Sequence, residues 1–163
     1  MIYFDYDGVI GNTEDGLFDE YERQKEYLEG LTRRQYLINL DWYDWLKKKG
    51  PRGTSFEVLK KHDPKEASIL TSCCSIKEGE SKVLYLRENG IKNNIIIVPI
   101  DIPKYMVVNS KRNLLVEDNL ENAIGWIQNG GYALIVSKKP VKVCKNISSL
   151  EQAFEYAKNL DLI

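Results

Sequence analysis

The sequence predicts an α/β fold with a doubly wound, mainly parallel sheet and a small helical cap inserted after the first strand. Five short apolar runs, several rich in β-branched residues, are bounded by polar or turn residues, as buried strands are. Helical patterns separate most of these runs, and strands that alternate with helices pair in parallel through right-handed crossovers. The first two runs are more than fifty residues apart, far more than a simple crossover needs.

The predicted strands are short and are distributed along the whole chain. They are MIYF at 1–4, ASIL at 67–70, NIIIV at 94–98, NLLV at 113–116 and ALIV at 133–136, with VKVC at 141–144 as a candidate edge strand.

Three helices are predicted in the second half of the chain. Residues 81–89 form one that ends at Gly90, a suitable C-cap, and residues 119–129 form another that ends at a Gly-Gly pair. The last spans 148–160, with a serine as its N-cap and an acidic residue in its first turn.

The cap is predicted over residues 12–65, and the α/β core over 1–11 and 66–163. Two stretches of the cap, EDGLFDEYERQKEYLEGL and TRRQYLINLDWYDWLKKKG, space their apolar residues as helices do. Gly30 and the Gly50-Pro51 pair supply the predicted helix ends.

Composition excludes several classes of protein. The net charge of −1 provides no basic field for a long nucleic acid or an anionic membrane. No apolar run approaches the roughly 18 residues that span a bilayer, and no signal peptide is recognised. Three cysteines without metal-ligand spacing do not make a disulfide framework or a zinc site. We therefore expect a soluble, cytoplasmic protein with reduced thiols.

Acidic and hydroxyl residues follow three of the predicted strands. Asp5 and Asp7 follow the first, Thr71-Ser72 the second and Glu117-Asp118 the fourth. In an open α/β sheet, ligands bind beyond the carboxyl ends of the strands, so these side chains should converge there. Carboxylates that lie so close repel one another unless a cation joins them, and oxygen ligands of this kind suit Mg²⁺. The sequence therefore predicts a magnesium site.

These motifs, in this order, resemble the haloacid dehalogenase-like superfamily over nearly the whole chain. Its first motif corresponds to Asp5-Tyr6-Asp7-Gly8-Val9, its second to SILTS at Thr71, and its fourth to LLVEDN at Glu117-Asp118. The resemblance implies a Rossmann-like core, a Mg²⁺ cofactor and hydrolysis of a phosphomonoester through an aspartyl-phosphate.

The resemblance also implies roles for individual residues. Asp5 would be the nucleophile and Asp7 the general acid and base. Gly8 would let backbone N–H groups face the phosphoryl oxygens, and Thr71 would donate a hydrogen bond to the phosphoryl group, with Ser72 close behind. The ion would be held by Asp5, the Asp7 carbonyl and Asp118, with Glu117 completing or orienting the ligand shell.

The third motif of the superfamily is a lysine that pairs with the nucleophile and the phosphate. Lys104, after the third strand, is the first candidate, and Lys82, in the helix after Thr71, is the second. A site that uses both lysines stays open.

For the substrate, the layout resembles the 5′(3′)-deoxyribonucleotidase group, which implies a nucleoside monophosphate. The cap would close over the site and exclude water. Aromatic residues of the cap, which could stack on a base, are Phe18, Trp42, Tyr43 and Trp45. Packing of these aromatic rings within the cap is the alternative reading.

Other functions stay open as alternatives. The same chemistry could act on a polynucleotide 3′-end, a sugar phosphate or a phosphoprotein. A nucleotide-binding regulatory protein is disfavoured because both Asp5 and Asp7 are present. A signalling receiver domain is disfavoured because it needs its phosphorylated aspartate before the hydroxyl residue, whereas Thr71 precedes Glu117-Asp118.

Overall fold

The computed structural model describes residues 1–137, 139 and 141–163, which form a six-stranded parallel sheet. The strand order β3-β2-β1-β4-β5-β6 places β1 and β4 next to each other at the centre. The strands are β1 (Ile2–Phe4), β2 (Ala67–Cys73), β3 (Asn94–Pro99), β4 (Leu114–Glu117), β5 (Tyr132–Val136) and β6 (Lys145–Ile147). The predicted doubly wound α/β fold is confirmed.

Eight helices connect and cover these strands in the part of the chain that the structure describes. Four of them separate β1 from β2: α1 (Leu17–Tyr27), α2 (Arg33–Asn39), α3 (Trp42–Lys49) and α4 (Ser55–Lys61). The others are α5 (Ile76–Glu88), α6 (Lys104–Val107), α7 (Leu120–Gln128) and α8 (Leu150–Asn159). None of the helices in the described ranges combines the length and apolarity that crossing a membrane requires.

The last strand lies further along the chain than its apolar pattern predicted. Strand β6 covers Lys145–Ile147 rather than 141–144. The Asn146 side chain, in the strand, accepts from Val141 N at 3.1 Å and donates to Ser137 O at 3.3 Å. Val141 packs against Ala133 and Ile135 of β5 without joining the sheet.

Helix α5 begins five residues earlier than predicted, at Ile76 rather than 81. The Ser75 hydroxyl caps it by accepting from Glu78 N at 3.1 Å. The earlier start places Glu78 and Lys82 one helical turn apart on the same face. Helix α6 was not predicted, because four residues are too few to show a period.

The principal core lies against the two central strands. Ile2 and Phe4 of β1 and Leu114 and Val116 of β4 are completely buried. Helices lie on both sides of the sheet, which explains why these strands read as unbroken apolar runs. This burial fixes the carboxyl ends of β1 and β4 side by side.

The segment between β1 and β2 buries a second, smaller apolar cluster. The cluster joins α1, α2 and α3 through Leu17, Tyr21, Tyr36, Trp42 and Trp45. Helix α4 instead adds its buried side chains to the principal core. The division of the chain into a core and a cap at residues 12–65 stays a prediction.

Candidate active site

The site lies where β1 and β4 end. Phe4 is paired with Val116, and Asp5 N donates to Val116 O at 2.9 Å, so the residues after these strands are neighbours. One carboxylate oxygen from each of Asp5, Glu117 and Asp118 lies within 4.8 Å of the other two. The structure thus brings together acidic residues more than a hundred positions apart.

Lys104 lies inside this acidic group. Its Nζ is 2.8 Å from Asp5 Oδ1 and 2.6 Å from Glu117 Oε1, and its side chain is almost completely buried. Burial alone would lower the pKa of Lys104, but the two carboxylates outweigh burial and raise it. Lys104 is therefore a charged lysine in contact with the candidate nucleophile, as its sequence position suggested.

Glu117 is the fully buried member of the acidic group, and donors surround it. Its Oε2 accepts from the backbone N–H groups of Asp118 and Asn119, both at 3.0 Å. Its Oε1 accepts from Asn122 Nδ2 at 2.8 Å as well as from Lys104. Glu117 thus orients the loop after β4, which leaves Asp5 and Asp118 as the more available carboxylates.

Lys82 holds the second aspartate of the first motif. Its Nζ is 2.5 Å from Asp7 Oδ2 and 3.2 Å from Thr71 Oγ1. Thr13 Oγ1 donates to the other oxygen of Asp7 at 2.6 Å. Both candidate lysines are therefore in the site, and each contacts a different aspartate of the first motif.

Glu78 is a member of the site that sequence reasoning missed. Its Oε1 is 2.6 Å from Lys82 Nζ, and its Oε2 accepts from Cys74 N at 2.8 Å. The i, i+4 spacing of an acid and a lysine was the available signal, but the predicted helix began after Glu78. Lys82 thus joins Glu78, which is buried, to Asp7, which lies at the cavity.

Gly8 makes the close approach of Asp118 possible. Its φ of +68° lies in the left-handed region that glycine adopts without strain. A Cβ at this position would lie 2.1 Å from Asp118 Oδ2. The turn after Asp7 therefore requires glycine for its conformation and for the space that Asp118 occupies.

The acidic group of Asp5, Glu117 and Asp118 has one lysine, Lys104, in contact with it, so its carboxylates raise one another's pKa. Burial raises the pKa of Asp5 to about 7, with the Glu117 carboxylate acting in the same direction and Lys104 against it. Burial and the Asp5 and Glu117 carboxylates raise the pKa of Asp118 to about 8. Carboxylate oxygens that repel one another in this way fit a hard divalent cation such as Mg²⁺.

A cavity of about 920 Å³ opens over these residues. Asp5, Asp7, Ser72, Lys104 and Asp118 line it, while Thr71, Lys82 and Glu117 lie behind the lining.

The predicted aromatic residues of the cap do not share one location. Trp42 lines the cavity, but it is only 4% exposed and belongs to the same buried cap cluster as Trp45. Trp45 is buried in the cap cluster, where its Nε1 donates to Thr13 O at 3.0 Å. The Tyr43 hydroxyl donates to Glu88 Oε2 on α5 at 2.5 Å, and Phe18 is exposed, so neither belongs to the described lining.

Two thiols lie next to the site on β2 and just after it. Burial raises the pKa of both Cys73 and Cys74 to about 12. The Cys74 thiol also donates to Glu78 Oε2 at 3.0 Å. Neither thiol is a candidate nucleophile, since the thiolate is the reactive form.

Comparison with solved structures gives matches over nearly the full length of the chain. A protein described as a HAD hydrolase, YfnB from Bacillus subtilis, solved with magnesium bound, has a TM-score of 0.63 at 13% identity, covering 96% of this chain and 97% of that one. A HAD hydrolase of family IA, variant 3, from Entamoeba histolytica has a TM-score of 0.58 at 15% identity, with coverages of 98% and 97%.

A third match is a protein from Bacteroides vulgatus described as a β-phosphoglucomutase, with a TM-score of 0.62 at 12% identity and coverages of 98% and 88%. No protein-family model and no curated protein sequence matches the chain. These comparisons do not support the predicted resemblance to the 5′(3′)-deoxyribonucleotidase group. The chain has the fold of haloacid dehalogenase-like hydrolases.

Proposed function

We propose that the protein is a Mg²⁺-dependent phosphomonoester hydrolase that uses Asp5 as its nucleophile. The observation that carries the proposal is the position of the Asp5 carboxylate, which lines the cavity, contacts Lys104 and lies within 4.8 Å of carboxylate oxygens of Glu117 and Asp118. A carboxylate becomes a useful nucleophile toward a phosphate ester when nearby cations reduce the repulsion between the two anions.

In the first half of the reaction, an Asp5 oxygen forms a bond to phosphorus while the bond from phosphorus to the ester oxygen breaks. Asp7, in its protonated form, gives its proton to the leaving oxygen. In the second half, Asp7 accepts a proton from a water molecule whose oxygen attacks the aspartyl-phosphate, which releases Asp5 and inorganic phosphate. Each half is easier than direct displacement by water.

The remaining polar residues hold the reacting groups. Lys104 keeps Asp5 in place and offers positive charge to the phosphoryl oxygens, while Lys82 and Thr13 hold Asp7 by its two oxygens. Ser72 lines the cavity, and its hydroxyl is a candidate donor to the phosphoryl group. Mg²⁺, held by Asp5, Asp118 and the Asp7 carbonyl, would neutralise charge on the nucleophile and the phosphate.

The identity of the ester belongs to the same proposal. A nucleoside monophosphate has limited support, since only Trp42 of the four predicted stacking residues lines the described cavity. A sugar phosphate gains some support from the neighbour described as a β-phosphoglucomutase. Nucleoside monophosphates and sugar phosphates should both be assayed beside a phosphate ester that contains neither a base nor a sugar.

The deciding experiment uses p-nitrophenyl phosphate, which requires no recognition of a particular alcohol. Wild-type protein should release nitrophenol with Mg²⁺, lose activity with EDTA and regain it when Mg²⁺ is restored. Asp5→Asn should lose at least about 1,000-fold in kcat, since it removes the nucleophile. Asp15→Asn is the control, because Asp15 is an exposed residue of the same loop and lies outside the cavity lining. Full activity of Asp5→Asn would refute the proposal.

A further inference from the structure

Lys82 lies behind the described lining of the cavity, so it reaches a bound ester through Asp7. Its side chain is completely buried, whereas Asp7 lines the cavity. The two acceptors closest to its Nζ are Asp7 Oδ2 at 2.5 Å and Glu78 Oε1 at 2.6 Å. Thr71 Oγ1 at 3.2 Å and Ser72 O at 3.3 Å are more distant. Lys82 therefore acts on the reaction by holding the Asp7 carboxylate in place.

Glu78 is anchored to the end of β2 independently of its contact with Lys82. Its Oε2 accepts from Cys74 N at 2.8 Å and from the Cys74 thiol at 3.0 Å. Its backbone N–H donates to Ser75 Oγ at 3.1 Å, at the start of α5. The Glu78 side chain is only 5% exposed. Its second oxygen, the one that contacts Lys82, thus has a defined position relative to β2.

The direction of the Lys82 ammonium depends on Glu78. A lysine side chain has four carbons and rotates freely, so a single carboxylate does not fix its end. Asp7 after β1 and Glu78 on α5 hold the ammonium from two different elements. The rings of Tyr6 and Trp42 also lie near its Nζ, at 5.6 and 5.4 Å from their centres. Loss of the Glu78 contact would leave Lys82 free to turn away from Asp7.

We propose that Glu78 is a positioning residue for proton transfer: it holds Lys82 against Asp7, and Lys82 keeps the Asp7 carboxyl group within reach of the leaving oxygen. As Asp5 bonds to phosphorus and the bond from phosphorus to the ester oxygen breaks, the proton passes from Asp7 to that oxygen. Glu78 and Lys82 neither gain nor lose a proton in this step. The inference rests on the proposed phosphomonoesterase activity.

Two esters of similar shape measure how well Asp7 is placed. Phenoxide is a stronger base than nitrophenoxide, so the departure of phenoxide gains more from a proton. The readout is therefore kcat/KM for phenyl phosphate divided by kcat/KM for p-nitrophenyl phosphate. Asp7→Asn sets the scale and should lower this ratio about tenfold or more. Each variant is compared at the pH of its highest kcat/KM, so that a displaced optimum does not count as a loss.

Glu78→Gln removes the proposed function of Glu78 with little change in side-chain shape. An amide has one acceptor oxygen, so it serves either Lys82 or Cys74 N but not both. We expect the ratio to fall about threefold or more, through kcat rather than KM. Glu80→Gln, which makes the same change at an exposed position of α5, is the matched control and should leave the ratio unchanged. A role of Glu78 in stability alone would lower both rates equally.

A double variant tests whether Glu78 acts through Lys82. Lys82→Met should lower the ratio by itself, and adding Glu78→Gln should lower it no further. The double variant also leaves neither Lys82 nor Glu78 as an unpaired buried charge, so it keeps the test available if Glu78→Gln alone folds poorly. A wild-type ratio in the double variant would overturn the inference.

A crystal structure of metal-free Glu78→Gln protein provides a readout that does not depend on turnover. We expect Lys82 Nζ to leave Asp7, or the Asp7 carboxylate to change its position. An unchanged contact between Lys82 and Asp7 would overturn the inference, as would an equal loss on both esters in Glu78→Gln while Asp7→Asn lowers the ratio. If instead wild-type protein hydrolyses no ester, the proposed function fails, and this contact still reports on Glu78.

Discussion

Lys104 Nζ lies 2.8 Å from Asp5 Oδ1, which joins the first residue of a short helix to the residue that follows the central strand. Because the same ammonium also contacts Glu117, one lysine connects both acidic strand ends. Lys104 therefore contributes both to the stability of the fold and to the position of the Asp5 carboxylate.

Replacing this lysine should therefore damage both properties. Lys104→Met leaves two buried carboxylates without their cation, and we expect a loss of about 3–5 kcal/mol in the free energy of unfolding. Urea denaturation measures this loss, and phosphate release should fall in parallel. Lys92→Met, an exposed lysine near β3, is the control and should change stability by less than about 0.5 kcal/mol. A Lys104→Met protein as stable as wild type would show that the contacts of Lys104 with the two carboxylates do not stabilise the fold.

Removing metal should make stability depend strongly on pH. An aspartate in the unfolded chain has an ordinary pKa of about 3.8, whereas the raised pKa values of Asp5 and Asp118 are about 7 and about 8. The folded protein thus binds more protons than the unfolded chain between about pH 4 and pH 8, so its stability should fall as the pH rises through that range.

Thermal unfolding in EDTA at several pH values should show this decrease in Tm, and Mg²⁺ should reduce it, because the ion favours the charged carboxylates. Asp118→Asn is the comparison that isolates the effect, since it removes one of the two acids. If its Tm in EDTA falls with pH as steeply as that of wild type, Asp118 is not the source of the dependence.

Gly8→Ala should impair metal binding more than stability alone would explain. Alanine at a φ of +68° costs about 1–2 kcal/mol, and its Cβ would also displace the Asp118 carboxylate. Gly30→Ala is a matched control, because Gly30 has a φ of +78° and open space where the Cβ would lie. We expect similar backbone strain in both variants, but a higher Mg²⁺ concentration for half-maximal activity only in Gly8→Ala. Equal Mg²⁺ requirements would contradict the role assigned to this glycine.

The two cap tryptophans should give different kinetic results. Trp45 holds Thr13, which in turn donates to Asp7, so Trp45→Ala should lower the turnover of every ester to a similar extent. Trp42 lines the cavity, so Trp42→Ala should raise KM more for a nucleoside monophosphate than for p-nitrophenyl phosphate if bases stack there. Steady-state kinetics on the two substrates distinguishes the outcomes. A uniform loss in Trp42→Ala would leave base stacking without support.

The acidic strand ends were predictable because the rule that places them is geometric. Parallel strands end at the same edge of a sheet, so buried runs followed by Asp5 and Asp118 had to bring these residues near each other once β1 and β4 were neighbours. Lys104 could be proposed because it follows a third strand of the same sheet.

The surroundings of these residues were less accessible to sequence reasoning. Helical spacing predicts that an aromatic side chain is buried, but it does not tell whether that side chain lines a cavity or packs against another helix. Trp42 and Trp45 are three positions apart on α3, yet only Trp42 lines the cavity. Glu78 was missed because α5 begins at the Ser75 cap, before the apolar period of the helix becomes visible. The position of β6 was missed because the apolar period does not reveal the hydrogen bond from Val141 N to the Asn146 side chain.

The protonated sulfur atoms of Cys73 and Cys74 have a practical consequence for anyone who wishes to inhibit this protein. At neutral pH a thiol whose pKa is about 12 offers almost no anion to an electrophilic warhead or to peroxide. A covalent inhibitor aimed at these sulfurs would therefore react slowly, despite their proximity to the cavity. Reversible ligands that carry a phosphate mimic are the better starting point.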